Sequence, residues 1–210
     1  MRIWPYLHEY LKTNYFTFIL LCVVLLCILM KYLPLGDWFK RSQDGKKSRR
    51  TFLLICFLGI LLRVGWLSFC EYRPAFHWDE VLHGEKTWTE YDEINITAES
   101  MTHGVWFRDW DNMPRARRPV GYPVFLGFFY AIFGANTTVL YSLSLLLFTA
   151  TIFLLYALAS QMFDPRSGLL AAFLFSCYPL SIYSVSLPLD EHLFLPVWFL
   201  GLYLLFREIR

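Results

Sequence analysis

The sequence predicts an all-α polytopic membrane protein with about five transmembrane helices, an interfacial helix and a large loop on the outer face. First, hydrophobic residues make up 57% of the 210 residues and the mean hydropathy is +0.42, whereas ordinary soluble domains are roughly 45–50% apolar. Second, several apolar segments approach the roughly 20 residues that cross a bilayer. Third, basic residues concentrate between the first two of these segments. The formal net charge of +2 is too small and too dispersed to indicate nucleic-acid binding.

Four apolar segments are long enough to cross about 30 Å of hydrocarbon. A fifth is shorter, but it is bounded by the polar sequence Asp190-Glu191-His192 on one side and by Arg207 on the other, so it can also cross. The five predicted spans are residues 15–33, 51–69, 138–160, 168–187 and 193–206.

The orientation follows from the basic residues, because short loops rich in Lys and Arg stay in the cytoplasm. The loop between the first two spans contains Lys40, Arg41, Lys46, Lys47, Arg49 and Arg50. We therefore expect the polar loop 71–118 on the outer face. The predicted segments are an outer amino-terminal segment (1–14), two spans with the basic loop (15–70), an outer catalytic loop with interfacial helices (71–136) and three further spans (137–210).

Residues 120–134 are apolar and aromatic but too short for a full span. A segment of about 15 residues suits a helix that lies in the interface or enters it partway. A full span here would also place Arg166, Arg207 and Arg210 outside, against the charge rule.

Arg63 lies within the second predicted span. A charge at mid-membrane costs roughly 2.5–3.5 kcal/mol on insertion scales. We therefore expect its guanidinium to face protein or water and to have a partner; the alternative is an arginine that extends to the outer interface.

Two acidic pairs in the outer loop are candidate general bases. Asp92 and Glu93 open a stretch that reads as a short helix over 94–103, whose dipole and free amides keep a carboxylate ionised. The alternative is that Asp92 only caps this helix. Asp79 and Glu80 are the second candidate pair.

Three arginines end the same loop: Arg115, Arg117 and Arg118, followed by Pro119. Guanidinium groups bind phosphate in a bidentate manner and stay charged. Arginines on the outer side run against the charge rule, which favours a dedicated phosphate site over simple headgroup contact.

Two further polar positions could support such a site. Asp190 and Glu191, with His192, lie between two spans and predict the lining of a polar cavity, although a short hairpin loop also needs polar residues. Tyr122 follows the arginines in the aromatic junction Gly121-Tyr122-Pro123. The histidines and carboxylates show no metal-ligand spacing, so no metal site is predicted, and a divalent cation stays an open alternative.

The order and spacing of several segments resemble polytopic glycosyltransferases of the GT-C class. The nearest relatives are the aminoarabinose-transferase and protein O-mannosyltransferase-like group, and the resemblance covers about residues 53–210. The segments that carry it are DEINITAESMTHGVWF, RRPVGYPVFLGFFYAIFG, LASQMFDPRSGLLAAFLFSCYPLSIYSVSLPLDEHLF and LGLYLLFREIR.

The resemblance implies a function. Such enzymes transfer a sugar from a polyprenyl-phosphate donor to a lipid, glycan or protein acceptor at the outer face, here of a bacterial inner or plasma membrane. The family base corresponds to Asp92, with Asp79 or Glu90 as alternatives. The basic residue that holds the donor phosphate in the family corresponds to Arg118, with Arg117 beside it. The later acidic residue of the family corresponds to Asp190.

Two departures from the family shape these expectations. Metal-binding relatives have an acidic residue where Arg117 stands, which argues against metal dependence. Family members are also longer, so we expect this sequence to be an amino-terminal module, as a fragment or as one half of a split enzyme with a partner chain that supplies further spans. The alternative function is a non-catalytic membrane module that binds the polyprenyl-phosphate lipid and scaffolds a separate transferase.

Overall fold

The computed structural model describes residues 45–72, 90–104 and 119–209, and this part of the chain is helical, without strands. The seven described helices are α1 (Gly45–Tyr72), α2 (Glu90–Thr102), α3 (Gly121–Phe133), α4 (Thr137–Met162), α5 (Pro165–Cys177), α6 (Pro179–Ser184) and α7 (Glu191–Ile209). The prediction of an all-α membrane protein is confirmed. The predicted span 15–33 lies outside the described residues.

Two of the described helices are long and apolar enough to cross a membrane, Lys47–Ser68 within α1 and Thr137–Met162. They contain the predicted spans 51–69 and 138–160 almost completely. Helix α1 has 28 residues, which corresponds to about 42 Å. One of its faces is buried and the opposite face presents large apolar side chains, a pattern expected of a helix that meets lipid on one side. The exposed side chains are Leu53, Leu54, Phe57, Leu58, Leu61 and Leu62.

Helix α4 is the central helix of the described bundle, and α5 and α7 pack along it. It begins after Asn136, whose side-chain oxygen accepts a hydrogen bond of 2.9 Å from the Val139 amide. Phe52 of α1 packs against Phe153 and Tyr156 of α4 in one apolar cluster. The long apolar helices are thereby joined into one core.

The turn between α4 and α5 is short, and α5 has two strong start signals. Asp164 precedes α5 and its carboxylate accepts a hydrogen bond of 2.6 Å from the Ser167 amide. Pro165 takes the first helical position, where a missing N–H costs nothing. Gly168 lies so close to Tyr156 that an added Cβ would be 2.9 Å from the Tyr156 carbonyl oxygen. The two helices therefore form a tight hairpin.

The predicted span 168–187 is divided into two helices. Helix α5 ends at Cys177, Tyr178 has extended backbone angles, and α6 begins at Pro179. Proline lacks an amide hydrogen and its ring clashes with the preceding turn, so a helix cannot continue through this position unchanged. The 13 residues of α5 reach only about 20 Å, which is less than the hydrocarbon thickness.

Helix α7 contains the predicted span 193–206 and has Pro196 inside it. Helix α3, the predicted short helix over 120–134, has 13 residues and is apolar throughout. It reaches about 20 Å, too short to cross the hydrocarbon. The number of spans, their orientation and the division into four segments stay predictions.

Candidate functional site

The structure describes part of the predicted site. Asp79, Arg115, Arg117 and Arg118 lie outside the described residues. Asp92 is described by its backbone alone, within α2. The described side chains are those of Glu93, Tyr122, Asp190 and Glu191.

Asp92 lies in the first turn of α2, because this helix begins at Glu90 rather than near residue 94. Whether Asp92 acts as a general base or only stabilises the helix start stays a prediction. The earlier start has a simple reason: the sequence Glu90-Tyr91-Asp92-Glu93 places acidic residues where the free amides and the positive end of the helix dipole stabilise them.

Helix α2 is held against α3 by two close contacts. The Tyr130 hydroxyl donates a hydrogen bond of 2.5 Å to the side-chain oxygen of Asn95, and both residues are buried. Gly127 faces Ala98 so closely that an added Cβ would be 2.9 Å from the Ala98 carbonyl oxygen. These contacts fix the helix that contains Asp92 relative to the helix that follows Arg118 and Pro119 in the chain.

Tyr122, in the first turn of α3, joins this helix pair to the beginning of α7. Its side chain is 2% exposed, and its ring centroid is 6.4 Å from that of His192. Its hydroxyl lies beside Ser144 of α4. Burial raises the pKa of Tyr122 far above its ordinary value, and the nearby Asp190 carboxylate raises it further, so the phenol is neutral. Tyr122 and the Asp190 carboxylate are therefore near enough to interact electrostatically, and their role as supporting residues stays a prediction.

His192 is the residue of this group that the sequence indicated least clearly. Its Nε2 lies 2.9 Å from the Ser184 carbonyl oxygen, and because a carbonyl only accepts, Nε2 carries the hydrogen. Desolvation lowers the pKa of His192, which favours the neutral ring. Its position next to Asp190 and Glu191 was the one available sequence signal.

A cavity of about 290 Å³ lies beside this histidine. Aromatic rings of Phe148, Phe175 and Tyr178 form much of its wall, and Ser184 and His192 add polar groups. Glu191 also lines the cavity and is exposed. Glu191 and His192 line this cavity, Asp190 is not among its lining residues, and the lining is mainly apolar. The predicted polar cavity at the 190–192 segment stays a prediction.

Arg63 is completely buried, with 0% of its surface exposed, and its guanidinium faces protein. Its Nη1 donates hydrogen bonds of 2.9 Å to the carbonyl oxygens of Gly59 and Ser176, and its Nη2 donates one of 2.8 Å to the Ser181 hydroxyl. The guanidinium carbon also lies 3.1 Å from the centre of the Phe148 ring. The predicted requirement for a protein partner is confirmed, and the partners are neutral acceptors and an aromatic face.

Within the part of the chain that the structure describes, no group of three or more His, Cys, Asp or Glu side chains is placed to hold a metal ion. The described polar residues can instead bind by hydrogen bonds, through serine hydroxyls, the imidazole and the Glu191 carboxylate.

The comparisons with known proteins concern the carboxyl-terminal part of the chain. Residues 117–210 match the family model described as dolichyl-phosphate-mannose-protein mannosyltransferase. Comparisons with curated proteins and with solved structures give no match. The matched segment begins at Arg117 and includes α3 to α7. Residues 117–210 are therefore similar in sequence to the dolichyl-phosphate-mannose-protein mannosyltransferase family, which confirms the predicted resemblance over this part of the chain.

Proposed function

We propose that this chain contains the catalytic site of a multi-pass membrane glycosyltransferase. It transfers a sugar from a polyprenyl-phosphate donor to a lipid, glycan or protein acceptor at the outer face of a bacterial inner or plasma membrane. The observation that carries this proposal is the family match, which begins at the arginine pair Arg117 and Arg118 and continues through α7.

The packing of α2 on α3 supports the proposal. Asp92 lies in the first turn of α2, and α2 is held to α3 through Asn95 and Tyr130. Because Arg118 precedes Pro119 and α3 directly in the chain, this packing links the helix of the proposed base to the segment of the proposed phosphate-binding residues. Asp79 stays the alternative base, and Arg115 stays a further candidate for phosphate binding.

In the proposed reaction, Asp92 accepts the proton of the acceptor hydroxyl as the acceptor oxygen bonds to the anomeric carbon. The bond between that carbon and the donor phosphate oxygen breaks, and the electron pair leaves with the polyprenyl phosphate. Arg117 and Arg118 stabilise the charge that develops on this phosphate. General base assistance contributes about 10²–10⁴-fold in rate, and aimed positive charge or donors contribute about 10²–10³-fold. No step is assigned to a divalent cation.

The phosphate-binding assignment is tested by transfer from polyprenyl-phosphate mannose, labelled with tritium in the sugar, to the endogenous acceptors of membranes that contain the chain. We expect transfer by the wild type, and a loss of about 10²-fold in Arg117→Ala and Arg118→Ala. Arg207→Ala is the matched control, because Arg207 is an exposed arginine at the far end of α7.

The same experiment separates the proposal from its alternative. A chain that binds the labelled donor lipid but transfers no sugar, even with added membrane acceptors, is a non-catalytic binding module. Transfer that is equal in wild type, Arg117→Ala and Arg118→Ala contradicts the assignment of the phosphate site.

A further inference from the structure

We infer that Arg63 is a positioning residue for the proposed glycosyltransferase site. Its guanidinium caps the break between α5 and α6, and this holds in place the cavity wall next to Asp190 and His192. This inference rests on the proposed function for its effect on turnover. The geometry that carries it is independent of that function.

The carbonyl groups of Phe175 and Ser176 lie where α5 ends. In a continuous helix, the carbonyls of Phe175 and Ser176 would accept from the amides four residues later, at Pro179 and Leu180. Pro179 has no amide hydrogen, and the helix stops before it. The Phe175 carbonyl accepts instead from the Tyr178 amide, at 3.4 Å. The Ser176 carbonyl needs another donor in an environment poor in water.

Arg63 supplies donors at this position. Nη1 bonds to the Ser176 carbonyl at 2.9 Å, and Nη2 lies 3.5 Å from the Phe175 carbonyl. A guanidinium at the carboxyl end of a helix also meets the negative end of the helix dipole. A buried arginine inside a predicted span is thus explained by the helix break that it stabilises.

The second step is the connection from Arg63 to α6. Nη2 also bonds to the Ser181 hydroxyl in the first turn of α6, so one guanidinium joins both sides of the break. Trp66, almost one turn further along α1, reaches the turn after α6: its Nε1 donates to the Ser186 hydroxyl at 3.3 Å. Leu67 packs with Val185 in a buried cluster. Helix α1 therefore holds α6 at both of its ends.

The third step leads from α6 to the candidate site. The last residue of α6, Ser184, accepts the hydrogen bond from His192, and the His192 ring packs against Tyr122. Ser181, Ser184 and His192 line the same cavity. A shift of α6 would consequently move the imidazole of His192 and the adjoining Asp190.

The test compares Arg63→Met and Arg63→Lys in the full-length chain in lipid nanodiscs, with Arg49→Met as the matched control on an exposed site of α1. The first readout is hydrogen exchange of peptide amides, measured by mass spectrometry. We expect Arg63→Met to raise the exchange rate of residues 179–194 by about tenfold or more, with α4 unchanged. Arg63→Lys keeps a positive donor and is expected to restore part of the protection.

The second readout is mannose transfer by the same proteins. We expect kcat to fall by about 10²-fold in Arg63→Met with the donor KM within about threefold of wild type, because a misplaced group costs turnover more than binding. Arg63→Lys recovers part of kcat. Because a smaller folded fraction also lowers the apparent kcat without changing KM, kcat is calculated per folded protein, measured by size-exclusion chromatography of the nanodiscs, and the exchange of α4 reports any general loss of folding.

Each result decides a separate point. Unchanged exchange at 179–194, or faster exchange spread equally over α4, overturns the inference. The inference is also overturned if Arg63→Met changes the exchange of residues 179–194 and leaves kcat unchanged. A wild-type chain that transfers no mannose counts against the proposed function, and the exchange result alone then decides whether Arg63 holds the wall.

Discussion

The Tyr130 hydroxyl donates a hydrogen bond of 2.5 Å to the side-chain oxygen of Asn95, 35 residues earlier in the chain. Both residues are buried, at 3% and 5% exposure. Asn95 lies less than one turn after Asp92. This bond therefore helps to fix the rotation of α2 about its own axis and its position along α3, and with them the position of the proposed base. The acidic first turn of α2 is therefore placed by the aromatic helix α3, as well as by its own sequence.

Tyr130→Phe should destabilise the protein by about 1–3 kcal/mol, because it leaves the buried Asn95 oxygen without its donor. Thermal unfolding in detergent, followed by circular dichroism, measures the effect. Tyr178→Phe is the control, since Tyr178 is 52% exposed. Equal stability of the two variants would contradict the importance of this bond.

Gly127→Ala should separate α2 from α3, because its Cβ would lie 2.9 Å from the Ala98 carbonyl oxygen, which belongs to the backbone and cannot rotate away. We expect a loss of about 1–3 kcal/mol in stability, as for other overpacked sites. Gly65→Ala provides the matched control: an added Cβ there meets nothing within 4 Å, and alanine in a helix is favoured by about 0.5–1 kcal/mol. The prediction fails if both alanines act alike.

Asn136→Ala should cost about 1 kcal/mol, because it removes the side-chain acceptor of the Val139 amide at the start of α4. Asn136→Asp keeps an acceptor at this helix start and should retain most of the stability. The same unfolding measurement compares the two. Similar losses in both variants would show that the cap bond contributes little here.

Asp164 predicts a dependence of stability on pH. Hydrogen bonds from Ser167 lower the pKa of this carboxyl below its ordinary value. A lowered pKa in the folded state means that the stabilisation is present above the ordinary aspartate pKa and is lost as pH falls through the folded value. We therefore expect wild type to lose stability relative to Asp164→Asn as pH falls below the ordinary aspartate pKa, in melting curves collected across the acidic range. A difference that is constant with pH would contradict this account.

The sequence predicted the long apolar helices well, because hydropathy and length are local properties. The spans expected at 51–69 and 138–160 lie almost wholly within α1 and α4. The break in 168–187 was missed because a hydropathy window averages over Pro179, although the proline itself was a visible signal. The helix predicted over 94–103 corresponds to α2, which spans Glu90–Thr102. Its earlier residues were missed because acidic residues interrupt the apolar pattern, although they are favourable in the first turn of a helix.

The partners of Arg63 were beyond reach from the sequence. The charge rule indicated that this arginine needs a partner, but the acceptors are Ser176 and Ser181, 113 and 118 residues away. They are backbone and hydroxyl oxygens with no charge pattern to reveal them. The proximity of Tyr122 to His192 likewise arises from the packing of α3 and α7 around α4 and has no local signature.

The assignment of Asp92 as the general base is the central claim, and one comparison of mannose transfer tests it. Asp92→Asn, Asp79→Asn and Glu90→Gln would be assayed beside wild type, with Glu99→Gln as the control because Glu99 is exposed on the same helix. We predict a loss of about 10²–10⁴-fold in kcat for Asp92→Asn and near-normal turnover for Glu90→Gln and Glu99→Gln. Near-normal transfer by Asp92→Asn, with the loss found in Asp79→Asn or Glu90→Gln, would contradict the account.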